Sequence, residues 1–189
     1  LRGLNRRQSY AYQGYAMPDS IQRLDAQILK KDLGCNAVRT SHSPQSPAFL
    51  DACDELGLLV FTEMPGWRYI GDESWKAQAL QNCREMVCQC RNHPSIFLWG
   101  ARVNNSADDE AFYKRTNEAI HRLDPTRPTA GARNHRKSQL LEDVYAYNDY
   151  SYRGRGAACE ARAAVTSDPR KGYLISEFGG QQLPTKPFD

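Results

Sequence analysis

Strand-like runs alternate with helical patterns along this chain, and that alternation limits the fold more than any other feature. Residues 1–5, 36–40, 58–62, 95–99, 129–133, 144–147 and 173–176 are short and mostly apolar, and each reads as a strand. Between them lie helical patterns. Ile21, Leu24, Ile28, Leu29 and Leu33 recur at helical spacing after Met17-Pro18-Asp19-Ser20, and Gly34 supplies a stop. Helices are also predicted over 49–56, capped by Gly57, over 74–90 with Trp75, Ala79, Met86 and Val87 on its apolar side, over 107–123 with an acidic first turn, and over 155–166. Helical crossovers join parallel strands, so the pattern implies an α/β fold with a parallel sheet. A doubly wound sheet and a closed (β/α)₈ barrel both fit. Two features favour the TIM-type barrel: polar residues follow nearly every strand, and no Gly-rich phosphate loop follows the first. No eighth strand is visible, since only Gly179, Gly180 and a Pro-rich tail follow Glu177. The expectation is one barrel domain over 1–189, truncated before its eighth strand and cut from a larger multidomain protein. Its open edge would then be covered by another chain or by domains outside this sequence.

Charge and composition exclude several partners. The net charge is +3 over 189 residues, with no Lys/Arg block, so no nucleic-acid footprint is expected. No apolar run approaches a membrane span. Leu1-Arg2-Gly3 leads into no apolar signal segment, which points to the cytoplasm. The six cysteines (Cys35, Cys53, Cys83, Cys88, Cys90 and Cys159) form no CxxC pair. They are expected as buried or half-buried thiols in a reducing compartment.

The densest chemistry follows the fourth strand. Pro94 closes a polar turn, 95–99 is apolar, and Arg102, Asn104, Asn105 and Ser106 come next, all able to hydrogen-bond a polyol. In a parallel barrel, the carboxyl ends of the strands carry the chemistry. Asn92-His93-Pro94-Ser95-Ile96, then Trp99 and Asn104, resembles the acid/base signature of glycoside hydrolase family 2, the β-galactosidases, β-glucuronidases and β-mannosidases. Two further blocks are similar to that family. One runs through Leu4-Asn5-Arg6, Asp25, Leu29-Lys30, Asn36, Val38-Arg39, His42, Pro44, Cys53 to Gly57, Val60 and Glu63. The other is Ile175-Ser176-Glu177-Phe178-Gly179. Three ordered blocks cover nearly the whole chain.

The resemblance implies a retaining exo-β-glycosidase that hydrolyses O-glycosidic bonds, β-galactosidase-like in the first instance. It assigns Glu177 as nucleophile. Where the family has its acid/base Glu, this chain has Asn105. A retaining enzyme needs two carboxyl groups about 5–5.5 Å apart, and an amide has no proton to give a leaving group. Asp108 and Asp109 are the nearest carboxylates in sequence that could substitute. Arg39 and His42 are implied to contact the sugar or the nucleophile, and Asn104 the sugar 2-hydroxyl. Asn148 and Tyr150 would line the pocket, and Trp67 would be a sugar platform. Trp99, inside its strand, reads as core. Glu63 matches a position that binds magnesium in some relatives. The expected histidine partner is Pro65 here, so no metal is expected, and no cofactor. Where the family often has His, this chain has Arg7. The implied partners are a β-linked sugar, N-terminal β-sandwich domains and an eighth strand outside this sequence, with room for a homo-oligomer. The alternative is a non-catalytic, carbohydrate-binding pseudoenzyme barrel.

Overall fold

A computed structural model describes residues 1–152, 159–166 and 168–178. Seven strands pair in chain order, every pair parallel. They are β1 (Gly3–Arg6), β2 (Ala37–Thr40), β3 (Leu59–Glu63), β4 (Ile96–Gly100), β5 (Thr129–Arg133), β6 (Val144–Asp149) and β7 (Gly172–Phe178). The helices are α1 (Asp19–Gln27), α2 (Pro47–Leu56), α3 (Glu73–Cys90), α4 (Glu110–Leu123) and the short α5 (Arg162–Val165).

Two apolar clusters show how the sheet curls. The larger joins Val38, Val60, Ile96 and Trp99 to helix residues such as Phe49, Leu50, Met86, Val87, Phe112 and Ile120, so this is the helix-covered outer face. The smaller contains Phe61, Leu98, Ala130, Ala132 and Ala146, with Phe97, Val144 and Leu174 against them, and no helix residue takes part. It is the concave interior of a half-barrel. The edges approach each other as well: the Asn5 side-chain amide on β1 donates to the Ser176 carbonyl on β7 at 3.1 Å. Between them runs a slot of about 620 Å³, lined by Leu4, Phe97, Leu174, Ile175 and Phe178 among others. Among the described residues no strand pairs with the outer edges of β1 and β7. The tail read as lacking an eighth strand, beyond Phe178, lies outside the described residues.

The turn before β4 is pinned from below. Asp54 of α2 accepts from the Ser95 amide at 2.8 Å through Oδ1, and its Oδ2 lies 2.7 Å from His93 Nδ1. Trp99 is fully buried, as its strand position implies, and its Nε1 donates to Asp124.

Several element boundaries differ from the sequence expectation. The first helix ends in a π-helical turn, Ile28–Asp32, before Gly34 at φ +64°. The fourth begins at Glu110, because Asp109 is its cap and accepts from the Phe112 amide at 3.0 Å. Of the helix expected over 155–166, residues 153–158 lie outside the described residues and Arg162–Val165 is helical. Strands β6 and β7 run on to Asp149 and Phe178, so Asn148 and Glu177 lie within strands rather than after them. Cys88, expected at least half-buried, is exposed on the solvent side of α3. Among the described residues no helix is long and apolar enough to cross a membrane.

Candidate active site

The carboxyl ends of β1 to β4 and β7 converge on one buried cation. Arg39 of β2 is 5% exposed, and a guanidinium so placed must be paired to be tolerated. Its Nη2 lies 2.9 Å from each oxygen of Glu63, the last residue of β3. The same nitrogen donates to Asn104 Oδ1 at 2.8 Å, and Nη1 reaches Asn5 Oδ1 at 3.3 Å and Glu177 Oε1. Burial opposes the Arg39 charge, but the Glu63 and Glu177 carboxylates outweigh it and hold its pKa above the usual value.

His42 follows β2 and completes this corner. Its Nδ1 lies 2.6 Å from Glu63 Oε1, and its Nε2 lies 3.3 Å from Asn104 Nδ2. Asn104 Oδ1 already accepts from Arg39 and Asn148, which fixes the amide orientation. Its Nδ2 is therefore the donor to His42 Nε2, and His42 Nδ1 carries the proton donated to Glu63.

Glu177 enters from the last strand by way of a bulge. The β6–β7 register runs Tyr147 to Ile175, then jumps to Asn148 opposite Glu177, leaving Ser176 as the extra residue. A bulge re-aims side chains. Here Ser176 Oγ donates to Asn148 Oδ1 at 2.7 Å while the Glu177 carboxylate turns to Arg39. Tyr150, just past β6, donates its hydroxyl to Glu177 Oε2. Burial together with that bond pushes the Tyr150 pKa up to about 12, which keeps the hydroxyl protonated as a donor. Asn148 links the two halves: its Nδ2 donates to Asn104 Oδ1 and to Asn105 Oδ1, both at 3.0 Å. Asn105 has φ +55°, in the left-handed region where Asn is among the more tolerant residues, and its amide donates to the Ala132 carbonyl at 3.0 Å.

Arg39, His42, Asn104, Asn105, Asn148, Tyr150 and Glu177 thus form one connected cluster. Trp67 sits at its rim, 58% exposed, bridged to the Asn104 backbone, with the Arg68 guanidinium 4.8 Å from its ring centre. Neither aspartate after Asn105 can stand in as a proton donor. Asp108 is turned away, bound by Arg102 Nη2 (2.6 Å), Ser138 Oγ (2.6 Å) and the Gln139 amide (3.0 Å). Burial opposes its charge, but these three donors hold its carboxyl well below the usual range. Asp109 caps α4, and Lys76 at 2.8 Å with the Phe112 amide keeps its pKa low. Sequence reasoning missed the part played by Glu63, which anchors Arg39 and His42 together, and by Asn5 and Ser176. The signal for Glu63 was present: a carboxylate directly ends an apolar strand.

The family model described as glycosyl hydrolases family 2, TIM barrel domain, matches residues 1–186. The chain is 54% identical over 190 residues to a β-galactosidase of Thermoanaerobacterium thermosulfurigenes, covering all of this chain and 26% of that protein. It is 40% identical over 203 residues to a β-galactosidase of Rhizobium meliloti, covering all of this chain and 27% of that protein. Among solved structures, a family 2 β-galacturonidase of Eisenbergiella tayi bound to galacturonate superposes with TM-score 0.71 at 36% identity, over 79% of this chain and 29% of that one. The chain spans about a quarter of the length of the curated relatives it matches.

Proposed function

The chain belongs to glycosyl hydrolase family 2, and from that premise we propose that it forms the catalytic centre of a retaining β-galactosidase whose acid/base residue is replaced by Asn105. One observation carries the reading: a strand-borne carboxylate, Glu177, is held by Arg39 and Tyr150 beside the Asn104–Asn105–Asn148 cluster. Two of the relatives are named β-galactosidases and are more than half identical to this chain, which supports galactose as the glycone.

Retaining hydrolysis is a double displacement. The Glu177 carboxylate attacks the anomeric carbon, the glycosidic C–O bond breaks, and a glycosyl ester forms on Glu177. Arg39 and the Tyr150 hydroxyl fix the orientation of the nucleophile. Asn104 hydrogen-bonds the sugar 2-hydroxyl, a contact that strengthens as oxocarbenium character develops. The departing oxygen of a natural sugar needs a proton, and the Asn105 amide has none to give. General acid help is worth about 10²–10⁴-fold, so natural β-galactosides turn over slowly. In the second displacement water attacks the ester, again without a base at Asn105.

An aryl β-galactoside with an acidic phenol tests this in the intact protein. The phenol leaves unaided, so a burst of phenol precedes a slow steady state. Azide needs no base and accelerates that steady state, giving a β-galactosyl azide. Mass spectrometry finds the trapped sugar on the peptide bearing Glu177. A protein that binds galactosides but gives neither burst nor adduct is the non-catalytic binding barrel, the reading that Asn105 itself favours.

A further inference from the structure

Helix α2, on the outer face away from the mouth, ends with the wrong sign of charge. Asp51 stands midway along it and Asp54 in its last turn, and that turn holds no basic residue. The carboxyl end of a helix is the negative end of its dipole, so a carboxylate there is unfavourable. The two aspartates also share one face at a spacing where like charges repel. Among the described residues neither forms an ion pair with Lys or Arg. Arg23, which feels Asp51 at longer range, is bound to Glu55, and Lys30 donates to the Gly57 carbonyl.

An imidazole faces both carboxylates. His93, in the turn before β4, places Nδ1 2.7 Å from Asp54 Oδ2 and 3.8 Å from Asp51 Oδ1. All three ligand atoms lie within 4.8 Å of one another. Two ligands about 2.1 Å from a tetrahedral zinc stand about 3.4 Å apart, a spacing between the two His93 distances. Asp54 can ligate without losing its other bond, because Oδ1 accepts from the Ser95 amide while Oδ2 faces the imidazole. Such a second bond is what orients a ligating carboxylate. Asp51 is 56% exposed, which leaves a fourth position open to water. Two carboxylates and a neutral imidazole balance a divalent cation. The imidazole favours the zinc class over magnesium or calcium, which take oxygen ligands.

We infer that Asp51, Asp54 and His93 form a site for a divalent transition cation of the zinc class. The cation takes the place of the His93 Nδ1 proton, which passes to solvent. It ties α2 to the turn that opens β4, the strand leading to Asn104 and Asn105, so it acts on stability and not on the chemistry of the mouth. The inference is independent of the proposed function. Cobalt is the probe, added to the intact protein after chelation, in a Cys88→Ser background because Cys88 is an exposed thiol. Tetrahedral cobalt absorbs in the visible, and zinc should displace it. The Kd should lie below about 0.1 mM. Asp51→Asn should weaken binding at least about tenfold, the loss that even an outer-shell partner causes, and His93→Gln should do the same. Zinc should raise Tm in the parent and not in Asp51→Asn, a difference from which sites elsewhere in the intact protein drop out. Asp51 is exposed, so its variant carries the test even if His93→Gln does not fold. Weaker binding in the parent, equal affinity in Asp51→Asn, or affinity that survives His93→Gln overturns the site and leaves Asp54 and His93 as a hydrogen-bonded pair that only pins the turn.

Discussion

Asn105→Glu is the substitution in which stability and activity should move in opposite directions. Asn105 holds φ +55°. An ordinary L residue pays about 1–2 kcal/mol in that region, and Asn pays less because its short side chain bonds locally. Glu at the same backbone position should therefore lower the unfolding free energy by about 1 kcal/mol. Its carboxylate can still accept from Asn148 Nδ2, so that bond survives. Against this, a general acid restored beside Glu177 should raise kcat/KM on lactose about 10²–10⁴-fold, or about 2.7–5.4 kcal/mol off the barrier. An aryl galactoside with an acidic phenol should gain far less in the first displacement. Urea unfolding gives the stability term, and steady-state rates on the two substrates give the other. Asn105→Gly is the activity control, since Gly tolerates the left-handed region and carries no acid: lactose turnover should stay low. A Glu variant as stable as the parent would refute the backbone argument. One that folds but leaves lactose turnover at background would show that a missing acid is not the defect.

Two further outcomes test the scaffold. Arg133 is wholly buried on β5 and pairs with Glu142 at 2.6 Å, so Arg133→Ala should strand that carboxylate and cost about 3–5 kcal/mol in chemical denaturation; a loss under about 1 kcal/mol would mean water reaches the pair. Asp124 is buried, and although burial opposes its charge, Thr126, Trp99 Nε1 and Arg127 hold its carboxyl below the ordinary range. The unfolded chain then takes up a proton that the folded one refuses, so the stabilisation is whole above about pH 4 and fades as pH falls further. Asp124→Asn should flatten the acid limb of Tm against pH, and an unchanged slope would remove Asp124 as its source.

The strand pattern was legible because parallel strands are buried on both faces, and 95–99 carries that signature without interruption. The ends of β6 and β7 were not. Asn148 and Glu177 are polar, and a single sequence cannot tell a polar residue inside a strand from one just beyond it. The bulge that leaves Ser176 unpaired is a property of two strands, visible only in their register. The start of α4 was obscured for a similar reason. Asp108 and Asp109 both look like first-turn acids, but Asp108 is claimed by Ser138 and Gln139, some thirty residues on. The site residues themselves were legible through the family resemblance, whereas the joining of Arg39 and His42 through Glu63 depends on distances across the sheet.

The order of pairing sets an order of assembly. Each strand pairs with its predecessor in the chain, so the sheet can lengthen one strand at a time during synthesis, at about 5–20 residues per second. The ties that span the opening are the exception: Asn5 to Ser176 is separated by 171 residues and Arg39 to Glu177 by 138. Contacts so distant in sequence form only after the loop between them is closed. By the time β4 has emerged, the Arg39 charge can already be met by Glu63, to which His42 Nδ1 also donates. Glu177 is supplied by the last described strand. From the emergence of β4 until β7 docks, a nascent chain therefore carries Arg39 matched by Glu63 alone, and it gains the Glu177 carboxylate only at that last step.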